Sequence, residues 1–391
     1  MADPVPTQRE PPASRLHYFR RSSMPAAIPS PSPLAALAAA TLLLSHTISA
    51  FSSTSSTLSS SAAHSQQQPV GNILILDHLN FNHEKGRHDL LKAFYFDFLQ
   101  CAIDPRKEEN IAKGSKTLWA NVGASQFHFP EGKPDAQVFD GLITLSYPNL
   151  DGLRERYEDE TARSILDGTK FQVEDNGNDE MLIVDPWGSK FKIVVEEQGK
   201  KDERGVQKGE PSEGLAMPDL TVYVPPGSNF AGIGRFYEVV LGAPTLECVD
   251  SHCSISVGPG QTLTFAAHPD GSDAKICHDD LRDEGDVEGK PHYMSNYGPH
   301  ISMYVADLRK CYNKANELGL CYVNPRFKRR SYTVEEAIDE CMFRCLDVVD
   351  PDDVDAGPIL KLEHEIRSVV KRDGSQYKSC PFDDIPEGCV V

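Results

Sequence analysis

Three of the thirteen histidines sit where the chain has the character of a strand. His78 lies in NILILDHLNF (Asn72 to Phe81), His128 in FHFPEG (Phe127 to Gly132) and His300 in PHISMYVADL (Pro299 to Leu308). A neutral imidazole can hold a divalent metal or carry a proton. Alternate residues of a strand share a face, so a His and a carboxylate on facing strands can converge while their neighbours pack outward. Phe127 and Phe129, flanking His128, are therefore expected in the core. The closing strand ILKLEHE (Ile359 to Glu365) places Lys361 and Glu363 on one alternating face. His83, His88, His252, His268, His278, His292 and His364 are read as ordinary polar residues. The one basic cluster, PRFKRRSY (Pro325 to Tyr332), offers Arg326, Lys328 and Arg329 to an anionic substrate such as a thioester or phosphate, or else is a solvated loop. Lys192 is either a contact for a substrate carboxylate or phosphate, or a surface lysine.

Composition narrows what such groups could serve. The chain has 391 residues and a formal net charge of -19. The first fifty residues hold four Arg and two acidic groups, which leaves about -21 for the rest. That acidity repels phosphate backbones and anionic membrane surfaces, so no nucleic-acid partner is expected. At this length two domains are comfortable. Nine of the ten cysteines follow residue 240, none as a CxxC pair. That spacing argues against a zinc ribbon or a thioredoxin-like centre and is read as free thiols.

The elements that must position the histidines recur along the chain. A strand at Asn72 to Phe81 precedes a helix over Asp89 to Leu99 containing Phe94-Tyr95, then strands at Thr117 to Val122 and Gln126 to Pro130. The order returns at Leu220, where LTVYV precedes a helix with Phe236-Tyr237, then SISV (Ser254 to Val257) and TLTFA (Thr262 to Ala266). The intervals His78 to Tyr95 and Leu220 to Tyr237 are equal at seventeen residues. Two further units open at Leu142 (LITLSYPNLDGL) and His300, each with a Leu eight residues on, Leu150 and Leu308. They close with FKIVV (Phe191 to Val195) and ILKLEHE. The expected fold class is α+β: four βαβββ modules in two domains whose curved mixed sheets form cups. The predicted boundaries are 1–70 for a presequence and disordered region, 71–198 and 216–368 for the domains, 199–215 for the linker and 369–391 for the tail. The acidic stretch from Ala266 to Tyr297 reads as a long exposed insertion, and the tail as an irregular strap.

With DHLNF, FHFPEG, DPWGSKFKI (Asp185 to Ile193) and PHISMYVADL in this order, the chain resembles the vicinal-oxygen-chelate superfamily, which includes glyoxalase I, extradiol dioxygenases and bleomycin-resistance proteins. The resemblance covers nearly everything from Gly71 to Glu365. It implies cups formed by paired units, with a divalent metal held from the first and last strands of each unit. Carried over by position, it gives His78 and His128 in the first unit and His300 and Glu363 in the fourth. The second unit offers Leu142 and Lys192, and the third Leu220 and about Thr264, neither of them a ligand pair. Fused four-unit relatives pair the first unit with the fourth and the second with the third. That pairing implies one equipped cup and one degenerate cup.

The implied function is a metal-dependent lyase or isomerase of the glyoxalase I kind acting on a small oxygenated substrate, with Zn, Ni, Mn or Fe as the metal. The alternatives are a metal-free small-ligand binder of the bleomycin-resistance type and an extradiol-type dioxygenase. Glyoxalase I expects a Glu where this chain has His128. A monomer or homodimer is expected. The apolar run Leu34 to Leu44 is shorter than the roughly twenty residues of a membrane span but suits a signal peptide. Phe51 and a Ser/Thr-rich, acid-free stretch follow it, as in the bipartite presequences of secondary plastids. Delivery to a plastid is the expectation, with secretion or an endomembrane lumen as the alternative, and no stable membrane insertion after processing.

Overall fold

A computed structural model describes residues 70–114, 117–132, 136–196, 209–271, 298–324 and 327–391. The expected presequence, the first part of the expected linker, residues 272–297 of the acidic insertion and Arg326 lie outside the described residues. No described helix is long and apolar enough to cross a membrane.

Four units follow one another, each a strand, a helical segment and three strands. The first comprises β1 (Ile73–Asn80), α1 (His88–Leu91) continued by a π-helical stretch (Lys92–Phe98), β2 (Ala102–Ile103), α2 (Glu108–Lys113), β3 (Leu118–Val122) and β4 (Ser125–Phe129). The second has β5 (Gly141–Tyr147), α3 (Asp151–Glu158), α4 (Glu160–Arg163), β6 (Gln172–Asn178), β7 (Glu180–Val184) and β8 (Lys190–Val195). The third has β9 (Ala216–Val224), α5 (Phe230–Phe236) with its π-helical continuation (Tyr237–Leu241), β10 (Thr245–Val249), β11 (His252–Gly258) and β12 (Gln261–Ala267). The fourth has β13 (His300–Val305), α6 (Leu308–Glu317), β14 (Cys321–Tyr322), α7 (Val334–Glu340), β15 (Met342–Val349) and β16 (Pro358–Ser368).

Three of the helices, α5, α6 and α7, start where a side chain satisfies a free N–H group. Asn229 accepts from Gly232 N at 2.9 Å, and Asp307 from Lys310 N at 2.8 Å. Thr333 and Glu336 form a reciprocal capping box. Where the sequence predicts a plain helix at Phe94-Tyr95, the chain widens into a π-helical turn, and the same occurs at Tyr237. The wider turn buries both Phe94 and Tyr95 completely. It also lets the Tyr95 hydroxyl reach Asp185 at 3.1 Å. Asp185 Oδ1 in turn accepts the N–H groups of Trp187, Gly188 and Ser189, which fixes the DPWGS turn between β7 and β8.

Two eight-stranded mixed sheets result, ordered β14-β15-β16-β13-β1-β4-β3-β2 and β10-β11-β12-β9-β5-β8-β7-β6. Within every unit the opening strand runs parallel to the closing one. Between units, β1 pairs antiparallel with β13, and β5 with β9. The first unit thus shares a sheet with the fourth, and the second with the third. Being central, β13 is buried along its whole length. The buried apolar residues of both sheets and the helices between form one large cluster. Phe127 and Phe129 belong to it.

β1 carries a bulge that matters to the site. Leu76 faces Met303 and His78 faces Ser302, so two residues of β1 advance against one of β13. At the bulge, Leu76 N–H donates to Gln261 Oε1 of the other sheet at 2.9 Å. The two sheets are tied together there.

Candidate functional site

The extra residue of the bulge brings Asp77 and His78, which strict alternation would send to opposite faces, into the same cavity. His78 Nδ1 donates to Asp77 Oδ2 at 2.8 Å, so Nε2 is left to face the cavity with its lone pair. That Nε2 is buried and has no hydrogen-bond partner among the described residues, and the same holds for Nδ1 of His300. A buried polar atom left unpaired calls for an explanation, and an ion is one. Ligand atoms of His78, His300 and Glu365 lie within 4.8 Å of one another, the one such group of three among the described residues.

Glu363, the carboxylate implied for this place, lies beside His300 but is not one of the three. It is fully buried, bonded by Arg344 and by Asn324 Nδ2 at 2.8 Å. Strand register gives the reason. In the first unit His78 pairs with Gln126, and Asn80 with His128. In the fourth His300 pairs with Glu363, and Ser302 with Glu365. The residue equivalent to His128 is therefore Glu365, two positions beyond Glu363 on the same face. Lys361 lies further out still, opposite Asp347.

His128 lines the same cavity but does not join the three. Its ring stacks on His78 with centroids 3.7 Å apart and planes at 23°. Parallel rings so close aim their lone pairs side by side rather than at one point. Its other face stacks on Trp119 at 4.3 Å, and its Nε2 meets Gln126 Oε1 at 3.1 Å.

Burial, outweighing Asp77, lowers the pKa of His78, and burial holds His300 well below the usual imidazole range although Glu363 opposes it. Both rings are neutral at neutral pH, as a ligand must be. Burial disfavours the Glu365 charge, but Arg344 and Arg367 overcome it and hold the carboxyl far below its ordinary range. Arg344 bridges Glu363 and Glu365, while Arg367 bonds Glu365 and reaches the Tyr304 hydroxyl at 3.3 Å. Three carboxylates (Asp77, Glu363, Glu365) against two guanidiniums leave the cluster with one net negative charge, which a divalent ion with a bound anion would neutralise. The donor set fits a divalent metal: two neutral imidazoles, one carboxylate, and a carboxylate behind His78 that fixes its tautomer.

The cavity above these residues measures about 380 Å³. Of the predicted basic cluster, Lys328 and Arg329 line it. Arg106, Lys107 and Trp119 line the opposite part, and Tyr377 and Ser379 bring the tail to it. The tail is docked by hydrogen bonds from Tyr304 to Ser379 O at 2.8 Å and from Val390 N to Ala306 O at 2.8 Å. Of the residues missed in the sequence, Glu365 and Arg367 had a signal: charged residues at 361, 363, 365 and 367 alternate with Leu360, Leu362, His364 and Ile366. Asp77 had none, because a bulge leaves no mark in composition.

In the other sheet the corresponding positions carry different chemistry. Lys192 pairs with Glu180 at 2.5 Å. Thr264 donates to Asp219 at 2.9 Å, and Thr221, facing Leu142 across the pair, at 2.7 Å. Leu220 is buried in the core.

No family profile and no curated sequence matches the chain. Among solved structures it is similar to glyoxalase I from Zea mays, at 12% identity over 76% of this chain and 92% of that one, with a TM-score of 0.41. The cppA protein from Streptococcus pneumoniae TIGR4 is similar at 12% identity over 76% and 99% of the two chains, TM-score 0.36. The 2,3-dioxygenase LapB from Pseudomonas sp. KL28 gives 12% identity over 81% and 97%, TM-score 0.26. The unit order, the parallel first and last strands and the antiparallel pairing of opening strands are the chain's own. That topology is the one the sequence resemblance implies, with the first unit paired to the fourth and the second to the third.

Proposed function

We propose that this protein is a metal-dependent lyase or isomerase with one active cup, in which His78, His300 and Glu365 hold a divalent ion against a small oxygenated substrate. The observation that carries the reading is the buried, unpartnered Nε2 of His78, anchored from behind by Asp77 and converging with His300 and Glu365. When bound, the metal supplies Lewis-acid polarisation of neighbouring substrate oxygens. The chain supplies the rest. Asp77 sets the His78 tautomer, and Arg344 and Arg367 keep Glu365 ionised and in place. His128, held between His78 and Trp119 at the cavity wall, moves the proton at the carbon next to the substrate carbonyl.

The donor set itself favours a second reading. Two His and one carboxylate with open positions form the set that iron oxygenases use, so an extradiol-type oxygenase is the alternative chemistry for the same cup. Elemental analysis of the purified full chain, followed by solvent-deuterium exchange into 2-oxo compounds and oxygen uptake with catechols, separates the two. Metal-dependent exchange supports the isomerase, and oxygen uptake the oxygenase. A chain that neither contains nor takes up a divalent ion defeats both and leaves a metal-free ligand-binding protein.

A further inference from the structure

The cavity has a charged mouth as well as a floor, and the fold's own symmetry builds it. Arg106 and Lys107 lie in the connection between β2 and β3 of the first unit, and Lys328 and Arg329 in the connection between β14 and β15 of the fourth. These are equivalent connections of the two paired units. Each brings an adjacent basic pair to the same cavity, on a chain whose net charge is -19.

Two of the four cations are committed within the protein. Arg106 pairs with the buried Asp104 at 2.6 Å, and Arg329 meets Glu340 at 3.5 Å and the Tyr377 hydroxyl. Neither Lys107 nor Lys328 makes an ion pair among the described residues. Lys107 Nζ instead lies 4.2 Å from the centre of the Trp119 ring, with the Arg106 guanidinium 4.6 Å from the same ring. Burial and then the neighbouring Arg106 lower its pKa against the pull of Asp104, which is itself paired with Arg106. The Trp119 face gives it a fixed seat at the mouth without neutralising it.

We propose that the cup takes an anionic substrate, a carboxylate or a phosphate ester, whose charged group is bound at the mouth by Lys107 and Lys328 while its neighbouring oxygens reach the floor. This names the substrate class of the cup and rests on the reading of that cup as a substrate site. It does not rest on the metal, because the lysines act without it. Two compact ammoniums on opposite connections suit a group whose charge is spread over several oxygens.

The test is calorimetric titration of the metal-stripped full chain with inorganic phosphate and, separately, with malonate, at low and at physiological salt. One or both anions bind, and the affinity falls as salt rises. Lys107→Gln and Lys328→Gln each weaken binding about tenfold, the loss of one charge-assisted contact. Anion binding by a wild-type chain that takes up no divalent ion rejects the metal reading and keeps the present one. Phosphate alone binding identifies a phosphate ester, and malonate alone a carboxylate. No binding of either anion, or equal binding by both lysine variants and the wild type, overturns the proposal. Both lysines lie at the cavity mouth outside the buried core, so the variants are expected to fold.

Discussion

Glu363 and Glu365 share a strand face and an arginine, yet the register gives them different tasks. The difference is measurable. Glu365→Gln abolishes tight divalent binding by elemental analysis, whereas Glu363→Gln keeps the ion and lowers stability by about 3 kcal/mol, the scale of a broken buried ion pair. The reverse pattern would put the carboxylate ligand back at 363. A second prediction concerns His83, which is buried with its ring 5.7 Å from that of His88. Burial, and then the nearby His88, lower its pKa from 6.5 to about 4. Between these values the unfolded chain binds a proton that the folded chain refuses. The stabilisation is therefore complete above about pH 6.5 and lost as the pH falls towards 4, amounting to roughly 3 kcal/mol. Denaturant titrations across that window will show His83→Gln with a shallower acid slope than the wild type. An unchanged slope would mean that His83 already titrates normally in the fold.

At the scale of elements, the long strands were readable because their apolar residues alternate and their turns are marked. β1, β5, β9 and β13 begin the four units where the repeat places them. β2 and β14, two residues each, leave no periodicity to read. The bulge in β1 and the irregular register of β15 against β16 are set by pairing with distant strands, so the carboxylate grouped with the two histidines, Glu365, stands two residues beyond the expected Glu363. Another constraint invisible in the sequence lies at Gly123, in the turn between β3 and β4. It has φ +53°, and a Cβ there would meet the Leu215 carbonyl oxygen at 1.8 Å. That carbonyl belongs to the chain entering β9, a backbone atom that cannot swing aside. Gly123→Ala is expected to lower stability by about 2–4 kcal/mol, seen as an earlier denaturation midpoint with unchanged slope; a midpoint within error of the wild type would show that the two segments are not held so closely.

For the whole molecule, the pairing of units puts the candidate site across the chain rather than within either predicted domain. His78 comes from the first unit, and His300 and Glu365 from the fourth. Segments 71–198 and 216–391 produced separately should each fail to bind the ion tightly, and producing them together should restore binding. Full metal uptake by one segment alone would contradict the shared sheet. The sequence revealed this arrangement through an asymmetry: histidines stood on the opening strands of the first and fourth units, and Leu142 and Leu220 on those of the second and third. The cationic mouth was only half visible, since PRFKRRSY stands out as a cluster while Arg106 and Lys107 look like an ordinary surface pair until Trp119 folds against them.

The antiparallel seam between β1 and β13 joins Ile73 to Val305, and it has a consequence for the timing of synthesis. Contacts so far apart along the chain close a very large loop, whose entropy must be spent before the seam returns anything. While a ribosome is still making the fourth unit, β1 has an open edge of unpaired N–H and C=O groups and a histidine facing no partner. The three candidate ligands cannot come together on a nascent or truncated chain that lacks the fourth unit. On the proposed reading, an ion bound tightly there would certify that translation reached β16, and prematurely ended products would be metal-free and exposed along that edge, where other chains can pair or proteases can cut.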